Sequence, residues 1–176
     1  MLDVIFDIDG TLADATHRLH FIKDMSFWKP GGITRDLKPD WESFLAPEAV
    51  AKDAIIEPIW KVMRGLLNGG ARVLFITGRS ESLRQTTQDW LTSKDCPVRA
   101  HTGWMLTAAN MHKSDLPIYM RPHGSRRPSH ETKEQGLFQA RMDGFDPKLV
   151  FEDRADDTEM WRRNGLICCQ VADGDY

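Results

Sequence analysis

Along the chain, short apolar runs alternate with longer stretches whose apolar residues recur every three or four positions. Runs of the first kind predict buried strands and those of the second predict amphipathic helices. Their alternation predicts an α/β domain, Rossmann-like and three-layered, with a mainly parallel sheet. The leading strand spans Leu2 to Ile8, interrupted only by Asp3 and Asp7 and expected to be buried on both faces. A second spans Arg72 to Ile76, introduced by the helix stop Asn68-Gly69-Gly70. Further strands are expected at Pro117 to Met120, Leu149 to Phe151 and Leu166 to Val171. Helices are expected at Glu57 to Leu67, Ser80 to Thr92, His130 to Met142 and Ala155 to Arg163, the last ended by Asn164-Gly165.

Two segments break this rhythm. Residues 20–56 hold Phe21, Phe27, Trp28, Trp41 and Phe44 among Pro30-Gly31-Gly32, Pro39 and Pro47, and read as a small cap insertion with its own apolar cluster. Residues 101–116 form a second, shorter insertion with no assigned element. The whole 1–176 stretch is therefore expected to be one domain carrying a cap.

Composition narrows the class. With 41% hydrophobic and 28% charged residues the chain can bury a core, which excludes a disordered segment. A formal charge of -3 excludes a polyanion binder that works by overall field, so any nucleic-acid contact has to come from a local patch. Cys96, Cys168 and Cys169 form no CxxC pair and fit reduced thiols in the cytoplasm. The leading MLDVIFDIDG lacks the basic start of a signal peptide, and no apolar run reaches membrane-spanning length, so no membrane partner is expected.

Candidate chemistry gathers at strand ends. Asp7-Ile8-Asp9-Gly10-Thr11 closes the first strand, where alternation puts Asp7 and Asp9 on one side at the edge that binds ligands in open α/β sheets. Two carboxylates so close require a cation or unequal protonation. The spacing does not fit an EF-hand loop, although a plain Asp-Gly turn would also explain it. Thr77-Gly78-Arg79 ends the second strand and offers a hydroxyl and a backbone amide. Glu152-Asp153 ends the strand at Leu149, with Asp156 and Asp157 close behind, an oxygen-rich set able to hold a hard cation. Lys133 lies in the helix before that strand. Each has an ordinary structural explanation; their placement at successive strand ends does not.

That order and spacing resemble the haloacid-dehalogenase-like phosphatase superfamily. The resemblance implies that Asp7 is the nucleophile, Asp9 a general acid and then base, Thr77 a phosphoryl-orienting hydroxyl and Lys133 a neutralising charge. It also implies a Mg²⁺ site formed by Asp7, the carbonyl of Asp9 and Asp153, with Glu152 and Asp157 behind it. An acid two residues beyond the nucleophile suits an alkoxide leaving group, which needs a proton, better than a halide, which does not. More closely, Phe151-Glu152-Asp153-Arg154, Glu159-Met160-Trp161-Arg162-Arg163, Gln170-Val171-Ala172-Asp173-Gly174-Asp175 and Met120-Arg121-Pro122 resemble the phosphatase half of phage-type polynucleotide kinase/3′-phosphatases. Arg18 and Arg79 match arginines of that family. Glu152 departs from its usual aspartate, and no stretch fits GxxxxGK[ST], so no kinase activity is expected from these residues.

The resemblance implies removal of a 3′-terminal phosphate from DNA or RNA, with Arg18, Gly78, Arg79, Arg121 and Arg127 as substrate contacts. A separate kinase or ligase would be a partner. The basic cluster Arg121, His123, Arg126, Arg127 and His130 agrees with a phosphate-rich substrate. An alternative is a 5′- or 3′-nucleotidase acting on free (deoxy)nucleotides, with Trp28, Phe27 or Trp41 stacked on a base. A third is a catalytically silent module that binds nucleic-acid ends. His17 and His20 lie at helical spacing but lack a carboxylate or cysteine partner that would suggest zinc, so they are not expected to bind metal, while Trp60, Trp90 and Trp161 are expected in the core.

Overall fold

The computed structural model describes residues 1–23, 38–94 and 116–174, and the backbone of residues 98–99 and 105–106. Five strands form one parallel sheet: β1 (Asp3–Phe6), β4 (Arg72–Ser80), β7 (Ile118–Arg121), β8 (Pro147–Glu152) and β9 (Ile167–Gln170), in the order β7-β4-β1-β8-β9. Strand β1 is central, bonded to β4 on one side and β8 on the other, so its backbone is fully paired. Val4, Ile5 and Phe6 are completely buried, as an uninterrupted apolar run demands in a sheet covered on both faces. The remaining strands form two small antiparallel pairs: β2 (Ala13–Asp14) with β3 (Ala54–Ile55), and β5 (Val98–Arg99) with β6 (Met105–Leu106).

Alternation splits the apolar residues between two layers. Val4, Phe6, Val73 and Phe75 face α3 (Glu57–Asn68) and α4 (Arg84–Ser93), joining Trp60, Met63, Leu67 and Trp90. Ile5, Leu74, Ile76 and Val150 face α5 (Ser129–Met142) and α6 (Ala155–Arg163), joining Leu137, Ala140, Met160 and Trp161. This is the expected three-layer architecture, with the three tryptophans in the core. Helix α6 has the expected limits and ends as its sequence dictates: Gly165 takes a φ of 80°, and Leu166 N–H donates to the Trp161 carbonyl at 3.1 Å.

Some limits differ from expectation. Strand β1 is shorter than Leu2 to Ile8 and ends at Phe6, although Asp7 N–H still donates to the Phe151 carbonyl of β8 at 3.0 Å. The helix expected from Ser80 starts later. Strand β4 runs to Ser80, whose hydroxyl caps a 3₁₀ turn over Glu81–Leu83, and α4 begins at Arg84. Within residues 20–56 two short helices stand where none was expected, α1 (Trp41–Phe44), capped by Asp40, and α2 (Pro47–Val50), opened by Pro47. Val50 belongs to the main core, with Leu45 and Ile55 packed against it. Phe27, Trp28, Cys96 and most of 101–116 lie outside the described residues. Among the described residues no helix is long and apolar enough to cross a membrane.

Candidate active site

The chain runs outward from β1 through β4 to β7 and then crosses back to β8 on the other side of β1. The crevice at the carboxyl end of β1 is thus a switch point of the sheet, the usual ligand position in this architecture. Asp7 follows β1 there, Thr77 sits in β4, and Glu152 and Asp153 stand at the end of β8. Helix α5 brings Lys133 to the same place, and α6 brings Asp157.

Asp7, Glu152 and Asp153 are all buried and each offers a carboxylate oxygen within 4.8 Å of the others. Lys133 Nζ reaches Asp7 Oδ1 at 2.9 Å, Glu152 Oε2 at 2.7 Å and Asp157 Oδ2 at 2.7 Å. Three carboxylates therefore hold one ammonium, and Asp153 adds a fourth acid to the site. Burial works against the charged amine, but Asp7, Glu152 and Asp157 outweigh it and keep Lys133 protonated. For Asp7, burial pushes the carboxyl well above its ordinary range. Lys133 opposes the rise, while Glu152, Asp153 and Asp9 add to it. This excess of buried negative charge fits a divalent cation, and an all-oxygen donor set fits a hard one.

The oxygens are not equally available. Glu152 Oε2 accepts from Lys133 and from Trp161 Nε1 at 3.0 Å, and its Oε1 accepts from the backbone N–H groups of Asp153 and Arg154. Its longer side chain is thus spent orienting Lys133 and the turn after β8. Asp7 and Asp153 are left as the better direct ligands. Asp157 Oδ2 also takes the Ser129 hydroxyl at 2.8 Å, which ties α5 to α6 behind the site.

Asp9 faces a different environment. Arg79 grips it with two nitrogens, Nε at 2.8 Å and NH2 at 2.6 Å, and Arg18 NH2 adds a third contact at 2.5 Å. Burial raises its pKa, yet Arg79 and then Arg18 carry it down to about 2. Behind both arginines lies Asp53, fully buried, accepting from Arg18 Nε and NH2, Arg79 NH2 and His17 Nε2.

A cleft of about 710 Å³ opens over these groups, with Asp7, Asp9, Thr77 and Lys133 at its base. Gly78, Arg121, Ser129 and Arg127 form one wall, and Trp41, Phe44 and Leu45 another. Arg121 braces its wall, donating from Nε to the Gly78 carbonyl at 2.9 Å and from NH1 to the Arg127 carbonyl. Thr77 is almost fully buried, and its hydroxyl oxygen accepts from Arg79 N–H at 3.2 Å.

Residues 41–176 match the family model described as the polynucleotide kinase PNKP phosphatase domain. The chain belongs to that family. The matched segment begins after Asp7 and Asp9, so it is the fold that joins their strand to the rest of the phosphatase domain. Similar solved structures agree on that fold. A chain of the Pnkp1/Rnl/Hen1 RNA repair complex superposes with a TM-score of 0.67 at 22% identity, over 100% of this chain and 44% of that one. A haloacid dehalogenase-like hydrolase from Streptococcus pneumoniae gives 0.59 at 15% identity, over 97% and 84%. The class C acid phosphatase from Bacillus anthracis gives 0.57 at 10%, over 99% and 68%. This phosphatase domain thus spans less than half the length of the RNA-repair chain it resembles. It is a phosphoric monoester hydrolase of the haloacid-dehalogenase-like class.

Within the phosphatase domain two expected substrate contacts are relocated. Arg18 and Arg79 are fully buried and lie behind Asp9, because two carboxylates claim their guanidinium groups, so they position Asp9 and do not line the cleft. His17 does have a carboxylate partner, Asp53 at 2.9 Å, which lies 36 positions away, beyond the reach of any comparison of near neighbours. Asp53 carries no motif, and no spacing in the sequence points to it. Gly174 stands out in the sequence only as part of a resembling stretch. In the structure its N–H donates to the Asp153 carbonyl at 3.1 Å, and a Cβ at this position would run into the Asp153 carboxylate.

Proposed function

We infer that this phosphatase domain removes the terminal 3′-phosphate from DNA or RNA ends, with Mg²⁺ and through a phosphorylated Asp7. The observation that carries the reading is Asp7 at the base of a cleft whose wall supplies Arg121 and Arg127, in a member of a polynucleotide kinase phosphatase family. Asp7, Asp153 and the carbonyl of Asp9 would hold the ion. When bound, Mg²⁺ offsets the repulsion between the Asp7 carboxylate and a phosphate dianion, roughly 4 kcal/mol per unit-charge pair at contact range.

The chain's own groups supply the remaining steps. Lys133 holds Asp7 through Oδ1 and fixes its direction of attack. The Asp7 carboxylate forms a bond to phosphorus as the bond to the sugar oxygen breaks, and that oxygen takes a proton from Asp9. Water then attacks the phosphorylated Asp7, passing a proton to Asp9, and phosphate leaves with Asp7 restored. Asp9 is ionised in the free enzyme, the state the second step needs. For the first step Asp9 has to carry a proton, which it takes from water as the phosphate dianion brings negative charge to the base of the cleft.

Similarity to a chain of an RNA repair complex favours RNA among the ends treated, alongside a separate kinase or ligase. The test is a panel of 3′- and 5′-phosphorylated mono- and oligonucleotides, assayed with and without Mg²⁺. The expected result is Mg²⁺-dependent phosphate release from 3′-phosphorylated oligonucleotides, lost in Asp7→Asn. Survival of those oligonucleotides while mononucleotides are cleaved would transfer the reading to a nucleotidase. Absence of release from any phosphate ester would leave a binding module.

A further inference from the structure

We propose that Trp41 with Arg126 and Arg127 forms a strand-end subsite, in which the terminal base stacks on the indole and the two guanidinium groups hold the preceding phosphodiester. The substrate class is then a single-stranded end of at least two nucleotides. This rests on the reading above and goes on to name what the cleft does with the rest of the strand.

Volume is the first argument. A phosphoryl group and an ion fill the space of a few waters, at about 30 Å³ each, and the cleft measures about 710 Å³. Most of it is therefore shaped for the organic part of the substrate. The second argument is the state of Trp41. Tryptophan is usually well buried, yet this one is 48% exposed on the cleft wall and touches Phe44 only edge-on, with ring centroids 5.7 Å apart. Among the described residues no ring stacks on the indole, so one face of it is open to the cleft that it lines together with Asp7 and Asp9.

That face is braced from behind. Phe44 is buried, and its ring lies 4.2 Å from the Arg18 guanidinium while its carbonyl accepts from Arg18 NH1 at 3.0 Å. Asp40 caps the short helix through Ser43 N–H at 3.0 Å. The same arginine that grips Asp9 therefore holds the helix carrying Trp41, so the base platform and the acid are set from one anchor. A ring already held in place loses little entropy on stacking, which favours it as a platform.

Charge supplies the third argument. Arg18 and Arg79 are consumed by carboxylates, but among the described residues no acid pairs with the Arg126 or Arg127 side chain, and both line the cleft. Arg121 fastens the Arg127 carbonyl and so places this pair beside the cleft base. Two guanidinium groups without an acidic partner among the described residues can hold the two free oxygens of one phosphodiester. Asp7 itself is only 3% exposed. A strand end reaches such a group by leaving the base stack, which selects single strands over paired ends.

The experiment measures KM and kcat for four 3′-phosphorylated substrates: a single-stranded tetranucleotide, the same tetranucleotide with an abasic terminal residue, a mononucleotide, and the tetranucleotide in a blunt duplex. The wild-type protein should prefer the base-bearing single strand, by lower KM. In Trp41→Ala the preference over the abasic end should collapse by roughly 5- to 150-fold, and Trp41→Phe should restore part of it. Joint Arg126→Ala and Arg127→Ala should erase the preference of the tetranucleotide over the mononucleotide. It should also flatten the salt dependence by about 0.7 in log-log slope for each arginine–phosphate pair removed.

Equal KM for base-bearing and abasic ends in the wild type, or an unaltered preference in Trp41→Ala, overturns the subsite while leaving the 3′-phosphatase reading intact. Phosphate release from an aryl phosphate but from none of the four substrates overturns the functional reading, and the subsite falls with it.

Discussion

Replacing Gly174 with alanine puts a methyl group where the structure has none to spare. Its Cβ would lie 2.2 Å from Asp153 Oδ2, 2.7 Å from Cγ and 3.0 Å from the backbone carbon. Ordinary van der Waals separation begins at 3.4 Å, so either the 171–174 tail or the Asp153 carboxylate must move by about 1 Å. The tail is held by three donors: Val171 N–H to the Glu152 carbonyl, and Gly174 N–H and Gln170 Nε2 to that of Asp153. The carboxylate is therefore the part that yields. Backbone conformation adds nothing, because Gly174 is not among the glycines of positive φ.

Mg²⁺ accepts ligands only near 2.0 to 2.1 Å, so a displacement of about 1 Å costs that bond. A loss of about 100-fold in affinity is expected, the upper end for groups that orient a metal ligand. At a Mg²⁺ concentration about 100 times the wild-type Kd, the ion stabilises the wild type by about 2.7 kcal/mol and the variant by only about 0.4 kcal/mol. In a domain of this size that difference is about 5 to 9 °C of Mg²⁺-induced rise in Tm. Thermal melts with and without Mg²⁺, together with calorimetric titration, measure it without reference to turnover. A Mg²⁺-induced rise equal to that of the wild type, with the metal-free Tm also unchanged, would refute the reasoning.

Three further outcomes follow from the charges. Burial holds the Asp7 carboxyl above its ordinary pKa, so the metal-free site retains a proton to higher pH than a free carboxylate does. Mg²⁺ binding should then expel protons and weaken as pH falls, and calorimetry in buffers of different ionisation enthalpy would contradict this by finding no proton release. Asp9→Asn should slow release from an alkyl phosphate by roughly 10² to 10⁴-fold but spare an aryl phosphate with a stable leaving group. Equal losses on both would count against its role as acid. At the opposite end of the sheet, Asp3 is buried, holds Arg72 at 2.6 and 2.5 Å and accepts from Asp146 N–H at 2.7 Å. Asp3→Ala should cost about 3 to 5 kcal/mol of stability, seen as a lower denaturation midpoint with KM unaltered, and a stability within about 1 kcal/mol of wild type would contradict it.

The strands and helices were legible because burial imposes a period that needs no distant partner. A run such as Val4-Ile5-Phe6 can only be a strand covered on both faces, and the Trp60, Met63 and Leu67 spacing can only bury one side of a helix. The gathering of the candidate site was legible for a related reason. Asp7, Glu152 and Asp153 lie at or just past the ends of two strands and Thr77 in the last part of a third, so knowing the strands meant knowing that these groups converge. Limits were less visible where a bond formed elsewhere decided them. Strand β4 continues to Ser80 because Ser80 pairs with Arg121, a partner no local pattern announces.

The amino-acid order alone thus settled the architecture, the sheet edge that carries the candidate site and the residues brought to it. Folding decided what each group is free to do there. Asp53, from a segment with no motif, meets Arg18 and Arg79 and turns two expected substrate contacts into supports for Asp9. The tail places Gly174 on Asp153, and Lys133 meets three acids drawn from three elements. Periodicity is a property of neighbours along the chain. The charge state and reach of a buried group depend on neighbours in space, and these exist only once the layers have closed.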